Sequence, residues 1–221
     1  MNSKYKLIIN LKGYEESTAD NAIKIGKIVK ELESIANKKN VQIIVASQYV
    51  DLKDIVNLKV NTFSQHIDSV AYGANTGHVV APLLSKIKVK GSLISHSEKL
   101  LSLKEIEERV LTCKKYNLFS CVCARNSSIA EKIAKFKPNF IAVEPKELIG
   151  GNISISTAKP NLIVKSVNAV GDIPLLVGAG VKNSEDVKKS IELGASGILV
   201  ASGVAKAKNP KKAIEELLSG F

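Results

Sequence analysis

Eight short apolar runs, each rich in β-branched residues, recur along the 221-residue chain. Runs that are apolar on both faces are typical of parallel strands, because helices cover both sides of a parallel sheet. The pattern therefore predicts eight buried strands. They are Tyr5–Asn10, Val41–Ala46, Val60–Gln65, Val89–Ser95, Leu118–Ala124, Phe140–Val143, Pro174–Gly178 and Gly197–Ala201.

Amphipathic stretches rich in lysine and glutamate lie between these runs, and their apolar residues recur at helical spacing. The clearest are Thr18–Asn37, Leu103–Tyr116, Ser127–Phe136, Lys159–Val170, Ser184–Leu193 and Pro210–Leu218. Ser102 and Glu105 predict a capping box. The links after Val50 and around Thr76–Lys86 carry a weaker pattern. About eight alternations in a chain of this length favour a closed (β/α)₈ barrel over a doubly wound sheet. No linker or composition break interrupts them, which predicts a compact single domain over residues 1–221.

The net charge of +11 raises the question of a nucleic-acid partner. The excess is spread along the chain as lysine, only Arg109 and Arg125 are arginines, and aromatic residues are sparse. No nucleic-acid partner is therefore predicted, and lysine enrichment also fits a thermophile or an AT-rich genome. Cys113, Cys121 and Cys123 are predicted to be buried reduced thiols, with no metal site. Since no signal peptide or membrane span is evident, we expect a soluble cytoplasmic protein.

Polar residues follow several of the predicted strands at the end where barrel enzymes carry their active sites. Asn10 and Lys12 end the first strand, His96 follows the fourth, and Glu144 follows the sixth. The loops at 178–180 and 201–203 contain small residues and follow the last two strands, where barrels commonly bind phosphate through backbone N–H groups. Each residue alone has an ordinary structural explanation. Their joint occurrence at successive strand ends favours one catalytic site.

A series of short motifs resembles the triosephosphate isomerase family, in order and over nearly the whole chain. The motifs are Asn10-Leu11-Lys12, Gln65-His66-Ile67-Asp68, Gly73-Ala74-Asn75-Thr76-Gly77-His78, Ser95-His96-Ser97-Glu98, Ala142-Val143-Glu144-Pro145 with Leu148-Ile149-Gly150, Gly178-Ala179-Gly180 and Ala201-Ser202-Gly203. Lys12-Gly13-Tyr14, Pro145-Lys146-Glu147-Leu148 and the short length resemble the archaeal branch. The resemblance implies interconversion of dihydroxyacetone phosphate and D-glyceraldehyde 3-phosphate through an enediolate.

The resemblance also implies roles for particular residues. Glu144 matches the carboxylate base and His96 the electrophile, and the family is itself a standard example of this pairing with a neutral histidine. Lys12 matches the cation that binds the phosphate dianion, Asn10 is its hydrogen-bonding companion, and Glu98 orients Lys12. Neither metal nor organic cofactor is implied. The positions matching the phosphate site and lid are Ile149, Gly180, Ala201 and Ser202.

Two loops carry further expectations from the resemblance. The lid is Pro145–Ser154, and its Gly150-Gly151-Asn152 departs from the Gly-Thr-Gly or Gly-Ser-Gly more common in the family. The loop Tyr72–His78 resembles the family's interface loop, which implies a homo-oligomer with this loop inserted beside a neighbour's Asn10 and Lys12. Short helices would leave apolar surface for a further dimer–dimer contact, so the expected assembly is a homodimer or a homotetramer. His78 is assigned no catalytic role, and His66 is expected to pack or hydrogen-bond near the third strand.

Two alternative functions remain at this point. Another phosphate-binding (β/α)₈ isomerase or lyase would share the two small-residue loops, but it would not require Lys12, His96 and Glu144 at these strand ends. A non-catalytic basic protein would bind nucleic acid with a steep dependence on salt.

Overall fold

Eight parallel strands form a closed barrel in chain order, and β8 pairs with β1 to complete it. The computed structural model describes residues 3–145 and 154–221. The strands are β1 (Tyr5–Asn10), β2 (Val41–Ser47), β3 (Thr62–Ser64), β4 (Gly91–Ile94), β5 (Phe119–Ala124), β6 (Phe140–Val143), β7 (Leu175–Gly178) and β8 (Gly197–Val200). The predicted (β/α)₈ barrel is confirmed.

Helices follow the strands and cover the outside of the barrel. They are α1 (Asp20–Lys38), α2 (Leu52–Asn57), α3 (Ala81–Lys86), α4 (Leu103–Lys115), α5 (Ser127–Ala134), α6 (Ile155–Ala158), α7 (Pro160–Val170), α8 (Ser184–Glu192), α9 (Ser202–Ala205) and α10 (Pro210–Ser219). The two weakly patterned links contain α2 and α3, which are six residues each. The capping box predicted for α4 is present between Ser102 and Glu105.

Two layers of apolar side chains hold the barrel together, because alternate residues of a strand point to opposite faces. One layer fills the interior with one face of every strand, including Ile8, Phe63, Leu93 and Leu176. The other layer lies between the outer face of the strands and the helices. Cys121 and Cys123 belong to the interior layer, and all three cysteines are free and buried. The barrel is therefore a packed core, with its chemistry confined to the rim.

Backbone conformation explains where the strands and helices differ from the sequence expectations. The predicted strand Val89–Ser95 is Gly91–Ile94 in the structure, and it ends before Ser95 because this residue has a φ value of 58°, which a strand cannot contain. Helix α1 begins at Asp20 and not at Thr18, since Ala19 has φ 51° and ψ −129°. Positive φ at non-glycine residues leaves little trace in a sequence, so these boundaries were not predictable from periodicity.

No helix in residues 3–145 and 154–221 is long and apolar enough to cross a membrane. The extent of the domain over residues 1–221 and the cytoplasmic location stay predictions.

Candidate active site

Lys12, His96, Glu98 and Glu144 lie together at the carboxyl rim of the barrel, and we call these four residues the site cluster. Lys12 Nζ is 2.6 Å from Glu98 Oε1. His96 Nε2 is 3.7 Å from Glu144 Oε2. Lys12, His96 and Glu144 are all buried, whereas the Glu98 side chain is 58% exposed. Side chains from β1, β4 and β6 are thus brought within reach of one small ligand.

A cleft separates Lys12 and Glu144 from the loops that follow β7 and β8. Its other wall consists of residues 179–182 and 199–203. Ala179 and Gly180 have φ values of 72° and 74°, so this turn is left-handed over two successive residues. Ser202 begins α9, and the first N–H groups of a helix have no partners within it. The cleft therefore places backbone donors opposite a lysine and a carboxylate.

Gly178 makes room for the Glu144 side chain. A Cβ atom at this position would lie 2.4 Å from Glu144 Cγ and 2.7 Å from its Oε1, closer than any side chain tolerates. Glycine at the end of β7 is consequently required for packing, although its φ lies outside the left-handed region. A substitution here would displace the carboxylate from the cleft.

The hydrogen bonds of His96 define which of its nitrogens carries a proton. The Glu98 backbone N–H donates to His96 Nδ1 over 3.2 Å, so Nδ1 is an acceptor and a neutral ring has its proton on Nε2. Glu98 Oε2 is also 3.5 Å from Nδ1, but this nitrogen has no proton to donate to it. The Nε2–H group is therefore directed toward the side of the cleft where Glu144 lies.

Comparison with known proteins identifies the family of this barrel. The model of the family described as "Triosephosphate isomerase" matches residues 6–217. The chain belongs to the triosephosphate isomerase family. The relative named triosephosphate isomerase from Methanocaldococcus jannaschii is 42% identical over 196 residues, covering 86% of this chain and 88% of the relative.

Other archaeal proteins of the same name are similarly close. That of Methanothermus fervidus is 41% identical over 218 residues, covering 96% of this chain and 97% of the relative. That of Thermoplasma volcanium is 39% identical over 196 residues, covering 87% and 89% of the two chains. The resemblance to an archaeal triosephosphate isomerase is confirmed, and the similarity extends over the length of both proteins.

Burial and neighbouring charges have opposite effects on the carboxylate and the lysine. Burial raises the pKa of Glu144, and the smaller effects of His96, the Cys123 thiol and Lys12 do not offset it. Glu144 Oε2 is buried without a hydrogen-bond partner among the described residues. For Lys12, burial opposes the charge, but the hydrogen bond and charge of Glu98 outweigh it and raise its pKa. The site thus combines a buried carboxylate whose pKa is raised with a lysine whose raised pKa keeps it protonated.

Most of the residues singled out in the sequence lie around this cleft. Asn10 is buried beside Lys12 and accepts a hydrogen bond from its N–H over 3.1 Å. Gly180, Ala201 and Ser202 line the opposite wall. Ile149 and the residues 146–153 of the expected lid lie outside the described residues.

Three residues near the site were not assigned a role from sequence. Tyr14 lines the cleft, and its ring centroid is 5.0 Å from Lys206 Nζ and 6.0 Å from Lys12 Nζ. The Cys123 thiol is hydrogen-bonded to Glu144. Gln65 donates to the Lys12 carbonyl. The sequence predicted that Cys123 is buried, but no sequence signal gave its partner.

A second cluster of polar side chains lies after β3, and we call His66, Asp68, His78 and Arg109 the Asp68 cluster. Asp68 Oδ1 is 3.0 Å from His66 Nε2 and 3.4 Å from Arg109 Nη2. Asp68 Oδ2 accepts from the Val79 N–H over 2.9 Å and lies 3.4 Å from His78 Nδ1. Since Asp68 also bridges to Val80, the cluster ties together the two ends of the loop that contains Tyr72–His78. His66 is buried and hydrogen-bonded, as expected from the sequence.

No group of three or more His, Cys, Asp or Glu side chains is arranged to hold a metal ion within residues 3–145 and 154–221.

Proposed function

We propose that this chain interconverts dihydroxyacetone phosphate and D-glyceraldehyde 3-phosphate, with Glu144 as base, His96 as electrophile and Lys12 as the phosphate-binding cation. The observation that carries the assignment is that Lys12 and Glu144 line one cleft whose far wall is built from small-residue loops, while His96 Nε2 lies 3.7 Å from Glu144 Oε2. Asn10, Gly180, Ala201 and Ser202 complete the substrate-binding set. Family membership supports the activity, and the geometry supports the choice of residues.

Glu144 performs the proton transfers in this mechanism. A carboxylate oxygen takes a proton from the carbon beside the carbonyl and returns it to the neighbouring carbon. Because burial raises the pKa of Glu144, the carboxylate is a stronger base than a solvated one and better matched to this task. Its Oε2 accepts no hydrogen bond from the described part of the chain, so none has to be broken when this oxygen takes the proton.

His96 and Lys12 stabilise the negative charge that develops on the substrate oxygens. The neutral His96 ring donates from Nε2 to the carbonyl oxygen, and the same nitrogen exchanges protons between the two enediolate oxygens. Lys12 binds the phosphate dianion and offsets enediolate charge. Fixed donors of this kind stabilise a transition state without reorganising during the reaction.

The lid remains part of the proposal. Closure of Pro145–Ser154 over the cleft would exclude water from the enediolate, and Ile149 would press against Glu144. Removing water raises the pKa of a carboxylate further. Ile149→Ala is therefore expected to lower kcat while leaving the affinity for inorganic phosphate nearly unchanged, as measured by steady-state kinetics and calorimetry.

We further propose that the chain works as a homo-oligomer, a dimer or a tetramer, in the cytoplasm. A second cleft includes two members of the site cluster, His96 and Glu98, and is also lined by Asn10, Gln65, His66 and Lys99. The polar tip of the Tyr72–His78 loop from a second copy suits this cleft, since amide and hydroxyl groups can pair with its side chains. Tyr72 is 63% exposed, which fits an interface role. A monomer with full activity in light scattering at assay dilution would contradict this arrangement.

The decisive experiment is a coupled assay of the purified chain on D-glyceraldehyde 3-phosphate, with and without 2-phosphoglycolate as an enediolate mimic. Activity that the mimic inhibits competitively, and that Lys12→Met nearly abolishes, would support the assignment. Lys12→Met retaining activity within about tenfold of wild type would contradict it, because ~1.4 kcal/mol is no more than a distant charge supplies. Turnover of a different sugar phosphate only would favour another barrel isomerase or lyase.

A further inference from the structure

The Lys12 backbone adopts a conformation that a long side chain normally avoids. Its φ is 53°, in the left-handed region that glycine occupies freely and other residues occupy at a cost. Lys59, Lys88 and Lys137 have similar φ values in the turns that follow α2, α3 and α5, whereas Lys12 follows a strand. The contacts of the two peptide groups beside Lys12 therefore bear on how this conformation is held.

Two side chains hold the peptide groups on either side of Lys12. The Asn10 carboxamide accepts from the Lys12 N–H over 3.1 Å. On the other side, Gln65 Nε2 donates to the Lys12 carbonyl over 3.0 Å and to the Ala46 carbonyl over 3.2 Å. The Ala46 carbonyl also accepts from the Leu11 N–H over 2.9 Å. One amide group at the end of β3 thus joins the ends of β1 and β2.

We infer that Gln65 is a positioning residue for Lys12: its side-chain amide fixes the Lys12 carbonyl and so keeps Lys12 Nζ at the phosphate-binding position. The inference rests on the proposed function of Lys12. If the Lys12 carbonyl were released, rotation about the Lys12 backbone would relieve the left-handed conformation and swing the side chain away from Glu98, its partner at 2.6 Å. Ligand binding by a cation depends steeply on such placement.

The test is Gln65→Met, which preserves the approximate length of the side chain and removes both donors. We expect the dissociation constant of 2-phosphoglycolate and the KM for the triose phosphate to rise about tenfold, the effect of one lost hydrogen bond on a site. kcat should fall less than KM rises, because His96 and Glu144 are held by other strands. Gln65→Asn is a second variant in which the amide is kept but is too short to span both carbonyls, and it should weaken the ligand in the same way.

The matched control is Gln42→Met, because Gln42 is a half-buried glutamine near the amino end of β2, remote from the cleft. It should leave KM and the 2-phosphoglycolate affinity at wild-type values. In the background of Lys12→Met, Gln65→Met should cause no additional loss of 2-phosphoglycolate affinity, since the two residues act through one contact. Light scattering at the assay concentration must give the wild-type mass for each variant.

Three results would overturn the inference. One is a lower melting temperature with unchanged ligand affinity in both Gln65 variants. Another is that Gln65→Met lowers the 2-phosphoglycolate affinity by the same factor in the Lys12→Met background as in the wild-type protein. The third is that the Gln65 variants regain wild-type affinity for 2-phosphoglycolate at protein concentrations at which the wild-type oligomer forms again. Calorimetry with 2-phosphoglycolate does not depend on turnover, so wild-type protein that binds the ligand but lacks isomerase activity would refute the proposed function while leaving the positioning role measurable.

Discussion

The chain contains the same short pattern after two neighbouring strands, and the structure uses it in two ways. His66-Ile67-Asp68 follows β3 and His96-Ser97-Glu98 follows β4, so each histidine has a carboxylate two residues later. In the Asp68 cluster the histidine is hydrogen-bonded to that carboxylate through Nε2, over 3.0 Å. In the site cluster His96 accepts a hydrogen bond from the Glu98 backbone N–H at Nδ1, which leaves Nε2 to face Glu144 Oε2, 3.7 Å away.

The carboxylates of the two regions differ in how many hydrogen bonds their oxygens accept. Asp68 is only partly exposed, but the hydrogen bonds from Val79 and His66 outweigh its desolvation and hold its pKa below the usual range. Glu144 is more deeply buried, has an unpaired oxygen and has a raised pKa. A histidine–carboxylate pair is therefore not diagnostic of catalysis. The informative feature is a buried carboxylate whose hydrogen-bonding capacity is unused.

Glu144→Gln tests the comparison with the largest expected effect. Removing the base should lower kcat by at least ~10²–10⁴-fold, the range for positioned acid–base catalysis. Steady-state kinetics measure the loss, and Glu107→Gln on the exposed face of α4 is the matched control. A variant that keeps most of its activity would make Glu144 a structural strand-end residue.

Asp68→Asn should lower stability and leave activity nearly unchanged, in contrast to Glu144→Gln. The free energy of unfolding is expected to fall by about 1–3 kcal/mol, because His66 and Arg109 lose a charged partner. At concentrations where the oligomer is intact, kcat should stay within about threefold of wild type, since Asp68 does not line the cleft and makes no contact that strengthens in the transition state. Urea denaturation and kinetics measure the two quantities, with the exposed Asp172→Asn as control. A large loss of kcat in the intact oligomer would place Asp68 within the catalytic machinery.

Glu98→Gln separates two contacts of Glu98, that of its side chain with Lys12 and that of its backbone N–H with His96. Lys12 loses the charge of its 2.6 Å partner, while the backbone N–H that binds His96 Nδ1 is unaffected. We expect kcat/KM to fall about tenfold, as for the loss of one charge-assisted hydrogen bond. The pH profile should move to lower pH, because the Glu98 charge contributes to the raised pKa of Glu144, but its shape should be retained, since the His96 tautomer is set by the backbone. A change of that shape would show that the Glu98 side chain controls the histidine.

The smallest expected effect is a pH-dependent difference in melting temperature. A raised folded pKa means that the Glu144 contribution to stability is present below its unfolded pKa of ~4.3 and is lost as the pH rises through the folded value. Glu144→Gln should therefore raise the melting temperature at neutral pH, by a few degrees at most, and the gain should vanish on acidification. The lowered pKa of Asp68 has the reverse sign: its contribution is present above ~3.9 and is lost as the pH falls through the folded value.

Calorimetric scans of Glu144→Gln and Asp68→Asn between neutral and mildly acidic pH would check these signs. The Asp68→Asn variant should melt below wild type at neutral pH, with a deficit that shrinks only at the acidic end. If both variants changed the melting temperature in the same direction at neutral pH, the distinction between the carboxylate with an unpaired oxygen and the hydrogen-bonded carboxylate would be contradicted.

The sequence by itself determined the barrel and much of its rim. Eight apolar runs with amphipathic segments between them leave few alternatives, because buried parallel strands need helices on the other side. Since all carboxyl strand ends meet at one rim, Lys12, His96 and Glu144 could be placed together without coordinates. The same reasoning could not supply the end of β4, because positive φ at Ser95 has no periodic signature.

Only the tertiary structure decided how these polar groups are satisfied. The two His-x-carboxylate patterns are nearly the same in sequence, yet one histidine is bonded through Nε2 and the other through Nδ1. Likewise, the hydrogen bond from Gln65 to the Lys12 carbonyl joins residues separated by 53 positions. Hydrogen bonds depend on distances and angles within a few tenths of an ångström, and spacing along the chain does not determine such distances between different strands.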